Sequence, residues 1–460
     1  MDNRAIGPKR AGDAPQCDAP ATDAPVWTWR LVLGVVLVAV LAGVFAIGFR
    51  SALAFLTQQA SSTSDVVAAM RRAPIWARLV LPATGGLIAG GIGLLLERGK
   101  EAQGVGDVME AVVLGRVRLS MRVTLLKSLA SFAAIVSGGS LGREGPLIQF
   151  GGAAGNFVGD RLRLAPERIR LLIAAGAAAG FAAAYNTPFA AVLFVLEVVT
   201  GVVVLDAILP ALGATVLAVV LTRMTIGEGP IYGQRGFQLQ APWELVAFGG
   251  LGLLTALGAQ GFMRLLTFGD WCFRRPALKL PWRSAIGGAL AGSVVAVLPE
   301  VAGNGYEPLN ALLDGQLTMP FVALLLLGKC VATTASVSSG SPGGIFTPTL
   351  LVGGALGHLF AQGLSFCGCL IGPCGGYALV GMAAATAATT HAPLMAAVMV
   401  FELSGDYAIA LPLILATAVS TLLSRRLRKE SVYTAELRER GVGWELTLQG
   451  RRLIETGRNR

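Results

Sequence analysis

The chain has 460 residues, 54% of them hydrophobic and only 14% charged, with a mean hydropathy of +0.66 and a formal net charge of +10. Soluble domains carry about a quarter of their residues as charges, so this balance excludes a soluble globular protein and predicts a polytopic membrane protein. No aromatic interleaving accompanies the basic residues, which argues against a nucleic-acid partner and leaves membrane topology as the reason for the charge.

In chain order, residues 1–30 mix acids, prolines and bases without the basic start and small-residue cleavage site of a signal peptide, and read as a disordered cytoplasmic tail. Leu31 to Phe49 is an uncharged apolar run between Arg30 and Arg50. Leu79 to Leu96 and Leu245 to Met263 are similar, each near the roughly 20 residues a helical span needs. Gly201 to Leu221, which contains Asp206, and Ala285 to Leu298 are interrupted or short and predict tilted or partial helices. Beyond Ser424 the chain is dense in arginine (Arg425, Arg426, Arg428, Arg438, Arg440, Arg451, Arg452), which places that end in the cytoplasm. The expected division is a tail over 1–30, a transmembrane domain over 31–424 and a basic cytoplasmic segment over 425–460. Cys367, Cys369 and Cys374 cluster with no histidine beside them, so packing or a loop disulfide fits them better than a zinc site.

The transmembrane part is duplicated. "GGSLGREGPLIQFGGAAG", Gly138 to Gly155, has an echo 202 residues later in "SPGGIFTPTLLVGGALG" from Ser341. In that register Gly142 meets Gly344, Pro146 meets Pro348 and Lys127 meets Lys329. A slightly longer offset aligns "GAAAGFAAAYNTPFAAVLFVLE" from Gly176 with "GMAAATAATTHAPLMAAVMVFE" from Gly381, pairing Pro188 with Pro393 and Glu197 with Glu402. Small-residue packing accounts for recurrent Gly and Ala, but not for paired lysines, prolines and glutamates. Two repeats, about 31–225 and 240–424, therefore frame a substrate site near the midplane between them.

In each half a loop rich in Gly, Ser and Pro leads straight into an apolar helix, which predicts helices that begin inside the bilayer. A buried helix start presents unpaired N–H groups and the positive end of the dipole, and so favours an anion over a cation. Gly142, Gly145, Gly343 and Gly344 allow the backbone to bend and approach the ion. Lys127 and Lys329 add positive potential to such a path, with snorkelling toward an interface as the alternative. Arg143 has a structural reading too, tied to backbone carbonyls. Glu144 is a carboxylate where the helix starts favour an anion; it can occupy the site as a tethered anion until protonation or a competing ion displaces it, the alternative being a structural ion pair.

These residues resemble the CLC family of chloride channels and proton/chloride exchangers, of the prokaryotic type without regulatory C-terminal domains. The resemblance runs from about Leu31 to Tyr433 and rests on "GREGP" (Gly142 to Pro146), "GGIFTP" (Gly343 to Pro348), the Gly176 block and the isolated Tyr433. It implies an all-α fold of inverted repeats with tilted and partial helices, a homodimer in membrane lipid with one pore per subunit, and residence in a bacterial inner membrane with both termini cytoplasmic. It also implies Glu144 as the gate and an anion site at Gln103, Gly104, Arg143, Gly145, Gly344, Ile345, Phe346 and Tyr433, the backbone N–H groups of Ile345 and Phe346 and the Tyr433 hydroxyl holding the ion. Two positions depart from the family pattern: Gln103 stands where a serine contacts the anion, and Val198 stands where exchangers carry an internal glutamate.

The resulting expectation is chloride or other small-anion transport with no cofactor and no enzymatic step. A passive glutamate-gated channel is favoured because of Val198, a proton/chloride antiporter is the alternative, and a cation-coupled solute symporter ranks below both. A symporter would put carboxylates around its ion, and few acids lie inside the apolar runs. His358 and His391 have neither zinc-type spacing nor a nucleophile partner, which argues against an intramembrane enzyme.

Overall fold

The computed structural model describes residues 28–97, 104–115, 117–201, 204–227, 231–233, 235–237, 239–276, 278–439, 442–447 and 450–455. Gln103 and the tail over 1–27 lie outside the described residues.

The first half runs through α1 (Trp29–Ser61), α2 (Val66–Arg72), α3 (Ile75–Glu97), α4 (Val105–Val113), α5 (Met121–Val136), α6 (Glu144–Arg161), α7 (Pro166–Tyr185), α8 (Pro188–Leu193) and α9 (Leu205–Ile226). The second half runs through α10 (Glu244–Arg274), α11 (Leu280–Val297), α12 (Tyr306–Leu313), α13 (Met319–Ser338), α14 (Phe346–Phe366), α15 (Cys374–Thr390), α16 (Pro393–Ser404) and α17 (Ala410–Leu427), and α18 (Val432–Glu439) follows. Among the described residues nine helical stretches are long and apolar enough to cross a membrane. The chain is an integral membrane protein, helical through α18. A hairpin of β1 (Val442–Thr447) and β2 (Gly450–Glu455), antiparallel, is an addition to the expected all-α plan.

Several expected spans are longer than their uncharged runs. Arg50 does not end the first helix, since α1 continues one-third of its length beyond it, and Asp206 sits in the first turn of α9, where the dipole favours a carboxylate. The turns that end helices recur in both halves. After α5 and α13 come Gly138 (φ 94°) and Gly340 (φ 95°), and α7 and α15 end on Asn186 (φ 58°) and His391 (φ 59°) in the left-handed region. Pro188 and Pro393 then open α8 and α16, at the helix position that needs no N–H donor.

The halves lock together through the same residues that the repeat pairs. The Glu402 carboxylate accepts N–H bonds from Phe189 (3.1 Å) and Ala190 (2.8 Å) at the start of α8. Reciprocally, Glu197 accepts from Leu394 (3.3 Å) and Met395 (2.7 Å) at the start of α16. Each half thus supplies the carboxylate that satisfies the orphan donors of the other half's helix. Glu197 is a capping residue, in keeping with its repeat-mate.

Candidate functional site

The two glycine-rich loops meet at the centre of the molecule. Gly142 N–H donates to Gly344 O (2.7 Å) and Gly344 N–H to Gly142 O (2.8 Å), an antiparallel bridge on the approximate twofold axis between repeats. From this point α6 and α14 begin, as the sequence predicts.

Glu144, the first residue of α6, is 1% exposed and reaches across to the start of α14. Its Oε1 accepts from the N–H of Phe346 (2.8 Å) and of Thr347 (3.3 Å), and its Oε2 from the Thr347 hydroxyl (3.0 Å). The carboxylate therefore occupies unpaired donors at the positive end of a helix, which is where a free anion would bind. The glycines make room for it: a Cβ on Gly344 would come within 2.0 Å of Glu144 Oε1. Tyr185 Oη lies 2.9 Å from Thr347 Oγ1, and the rings of Phe181 and Tyr185 pack against Phe346. Thr347 and Tyr185 are contacts that the sequence reading missed. Both lie inside motifs it quoted, but nothing in a linear chain marks which hydroxyl faces the carboxylate.

A cavity of about 370 Å³ ends on this seat. Glu144, Gly145, Gly344, Ile345 and Tyr433 line it, with Lys127, Asp270, Arg274 and Arg428 supplying its charges. Tyr433 is carried back into the core by α18 and sets its ring edge-on to Phe194, at 6.2 Å between centroids. The structure gives several of the expected site residues specific surroundings. Gly104 lines the cavity, but its N–H is committed to the Asp107 side chain in the capping box of α4. Gly344 N–H is likewise committed to the bridge, so Gly344 contributes space and not a donor. At the start of α14 the donors engaged by the carboxylate are those of Phe346 and Thr347, whereas the expectation for the Ile345 and Phe346 N–H groups concerns the free anion. Lys329 is fully buried and donates to the carbonyls of Val301 (3.0 Å) and Gly303 (2.9 Å), holding the turn before α12, whereas its repeat-mate Lys127 lines the deep cavity.

A second cavity, of about 200 Å³, is lined by Arg50, Asp65, Arg143, Asn304 and Tyr306 among others. Arg143 belongs here and not in the deep cavity; its guanidinium carbon lies 4.8 Å from the centroid of the Tyr306 ring, a cation–π contact. Adjacent residues, Arg143 and Glu144, thus face the two cavities and the backbone between them forms the partition. Val198 is buried in a π-helical turn over Phe194–Thr200 and is not among the residues that line the deep cavity. Among the described residues no cluster of three metal ligands occurs, and Cys272, Cys330, Cys367, Cys369 and Cys374 are free thiols.

Beside the second cavity, the Glu307 carboxyl is pushed up from 4.5 to about 8 by burial and by its hydrogen bond to the Asp65 carboxylate. A carboxyl that binds its proton more tightly when folded adds stability that is whole below the unfolded value and is lost as pH rises through the folded one. The melting temperature in detergent should therefore fall between pH 4.5 and about 8. Glu307→Gln, which keeps a donor for Asp65 and removes the titration, should flatten that slope; equal slopes in both proteins would place its origin elsewhere.

The chain is similar to known proteins along most of its length. A family profile described as "Voltage gated chloride channel" matches residues 85–425. A "Putative chloride channel protein ClcB-like" of Ralstonia nicotianae is 39% identical over 387 residues, covering 82% of this chain and 89% of that protein. A "Voltage-gated ClC-type chloride channel ClcB" of Citrobacter koseri is 33% identical over 417 residues, covering 88% and 98%. Among solved structures, a slow cyanobacterial Cl⁻/H⁺ antiporter superposes with a TM-score of 0.80 at 26% identity, over 90% of this chain and 98% of that one. With the two-loop bridge, the helix-start seat and these likenesses together, the chain belongs to the CLC family of chloride channels and proton/chloride exchangers.

Proposed function

We propose that this CLC chain, whose family transports chloride, is a passive anion channel whose gate is the Glu144 side chain. The observation that carries the reading is the seat of the carboxylate on Phe346, Thr347 and the Thr347 hydroxyl, at the end of a cavity with three cationic side chains. A free anion takes that seat only when Glu144 leaves it, either on protonation or by competition. Lys127, Arg274 and Arg428 raise the local anion concentration at the seat's approach, and Tyr433 and Ile345 border the ion's final position. The arginine-rich ends at Arg425, Arg426 and Arg428 orient the deep cavity to the cytoplasm of a bacterial inner membrane, with both termini on that side. A homodimer with one pathway per subunit follows from the family likeness.

Passive movement is favoured over coupled movement because Val198 offers no proton acceptor at the exchangers' internal position, and Glu197 beside it is committed to α16. Proton/chloride exchange is the second reading. It is favoured by the likeness to the antiporter and by Asp270, a carboxylate on the wall of the deep cavity.

One assay separates them. Proteoliposomes receive a chloride gradient and no proton gradient, with the membrane potential clamped by potassium and valinomycin, while external pH is recorded. The expected result is chloride flux with reversal potentials that follow chloride and ignore sodium and potassium, without uphill proton movement. Sustained uphill proton movement that Glu144→Gln abolishes would establish exchange, and a cation-selective current would end the anion reading.

A further inference from the structure

We propose that Arg50 and Arg143 form a second anion-binding site in the cavity remote from the deep one, a station for the transported anion before it reaches Glu144. The site deepens the channel reading and rests on it only in taking the transported ion, chloride or a similar monovalent anion, as its ligand.

The first helix carries Arg50 within its length, half-buried, where a guanidinium is costly unless it faces a polar path. It faces the 200 Å³ cavity, and so does Arg143, which is 8% exposed. Among the described residues neither guanidinium enters an ion pair. The buried Nε of Arg143 has no hydrogen-bond partner, and neither has the buried hydroxyl of Tyr306 on the same wall. Buried donors left unsatisfied in a polar cavity indicate an unseen partner, and two guanidiniums with a hydroxyl call for one that is negative.

The acid on the cavity wall does not balance them. Asp65 Oδ2 accepts the Ala68 N–H at 2.9 Å as the cap of α2, and the Asp65 carboxylate also accepts a hydrogen bond from the protonated Glu307 carboxyl. One carboxylate, already bonded twice, stands against two guanidiniums. The volume accommodates a monovalent anion with several waters, since each water takes about 30 Å³ of liquid volume. Its position matters because Arg143 is bonded to Glu144 through one peptide link: an anion held on the Arg143 guanidinium waits on the far side of the partition from the deep cavity.

Two measurements test the site. Crystals of the unaltered protein grown in bromide should carry an anomalous peak in contact with both guanidinium groups; an empty cavity at saturating bromide would overturn the proposal without reference to any variant. In planar bilayers, chloride is varied on this side alone, with gluconate holding ionic strength. Arg50→Gln should raise the half-saturating chloride about fivefold, equivalent to about 1 kcal/mol, with maximal current retained, and Arg50→Lys should lie between the two. An unchanged half-saturation, or an equal loss of current at every chloride concentration, would overturn it. Failure of the channel reading is distinct, because it would appear in the unaltered protein as the absence of chloride current.

Discussion

Glu144→Gln should raise chloride flux at neutral pH by about tenfold and remove most of its dependence on pH. The carboxylate accepts three charge-assisted hydrogen bonds at the start of α14, and such bonds contribute about 1.5–3 kcal/mol each. An amide of the same size can accept from one N–H but brings no charge to the dipole, so a net loss of even about 1.4 kcal/mol of self-occupancy shifts the competition with chloride tenfold. Glu144→Ala should go further, since nothing is left to fill the seat. Tracer efflux of chloride from proteoliposomes between about pH 4.5 and about 7.5 reads both effects. A mutant that keeps the pH response of the unaltered protein would assign the gate to another residue.

The second large effect concerns folding. Helices α6 and α7 cross at Gly151 and Gly176, where a Cβ built on Gly176 would sit 2.0 Å from the Gly151 carbonyl oxygen. The obstruction is backbone and cannot rotate aside, so Gly176→Ala must push the helices apart, and overpacking of this kind costs about 1–3 kcal/mol or more. The second half repeats the geometry: a Cβ on Gly353 of α14 would lie 2.3 Å from the Gly381 carbonyl oxygen on α15. Gly176→Ala and Gly353→Ala should each lower the melting temperature in detergent and reduce the monodisperse fraction on gel filtration, and Gly176→Leu should abolish the folded protein. Gly91→Ala is the control, because no atom lies within 4 Å of its added Cβ. If Gly91→Ala and Gly176→Ala melt alike, the close crossing is not what holds these helices.

What the sequence determined by itself was whatever depends on composition, spacing and repetition. Apolar runs near the span length placed the membrane helices, because a backbone in lipid satisfies its polar groups only as a helix or a closed barrel. The doubled lysines, prolines and glutamates revealed two halves, and the glycine loops ahead of apolar helices predicted the buried starts of α6 and α14. Glu144 stood out because a carboxylate at a buried helix start competes directly with the free anion that such a start favours.

The tertiary structure alone decided which partner each of these residues meets. Lys127 and Lys329 are equivalent in the repeat, yet one lines the deep cavity and the other is enclosed by the carbonyls of Val301 and Gly303. The two loops are paired by an approximate twofold, and the surroundings of the two lysines are not, so one residue type has two fates. Arg50 reads in the chain as the flank of a span and proves to face a cavity with Arg143. Residues 202 positions apart, Glu144 and Phe346, share one hydrogen bond that no local pattern encodes. Periodicity fixes which face of a helix is apolar; the bringing together of two helix starts from opposite halves, and of the carboxylate that fills the gap between them, is settled only when both halves pack.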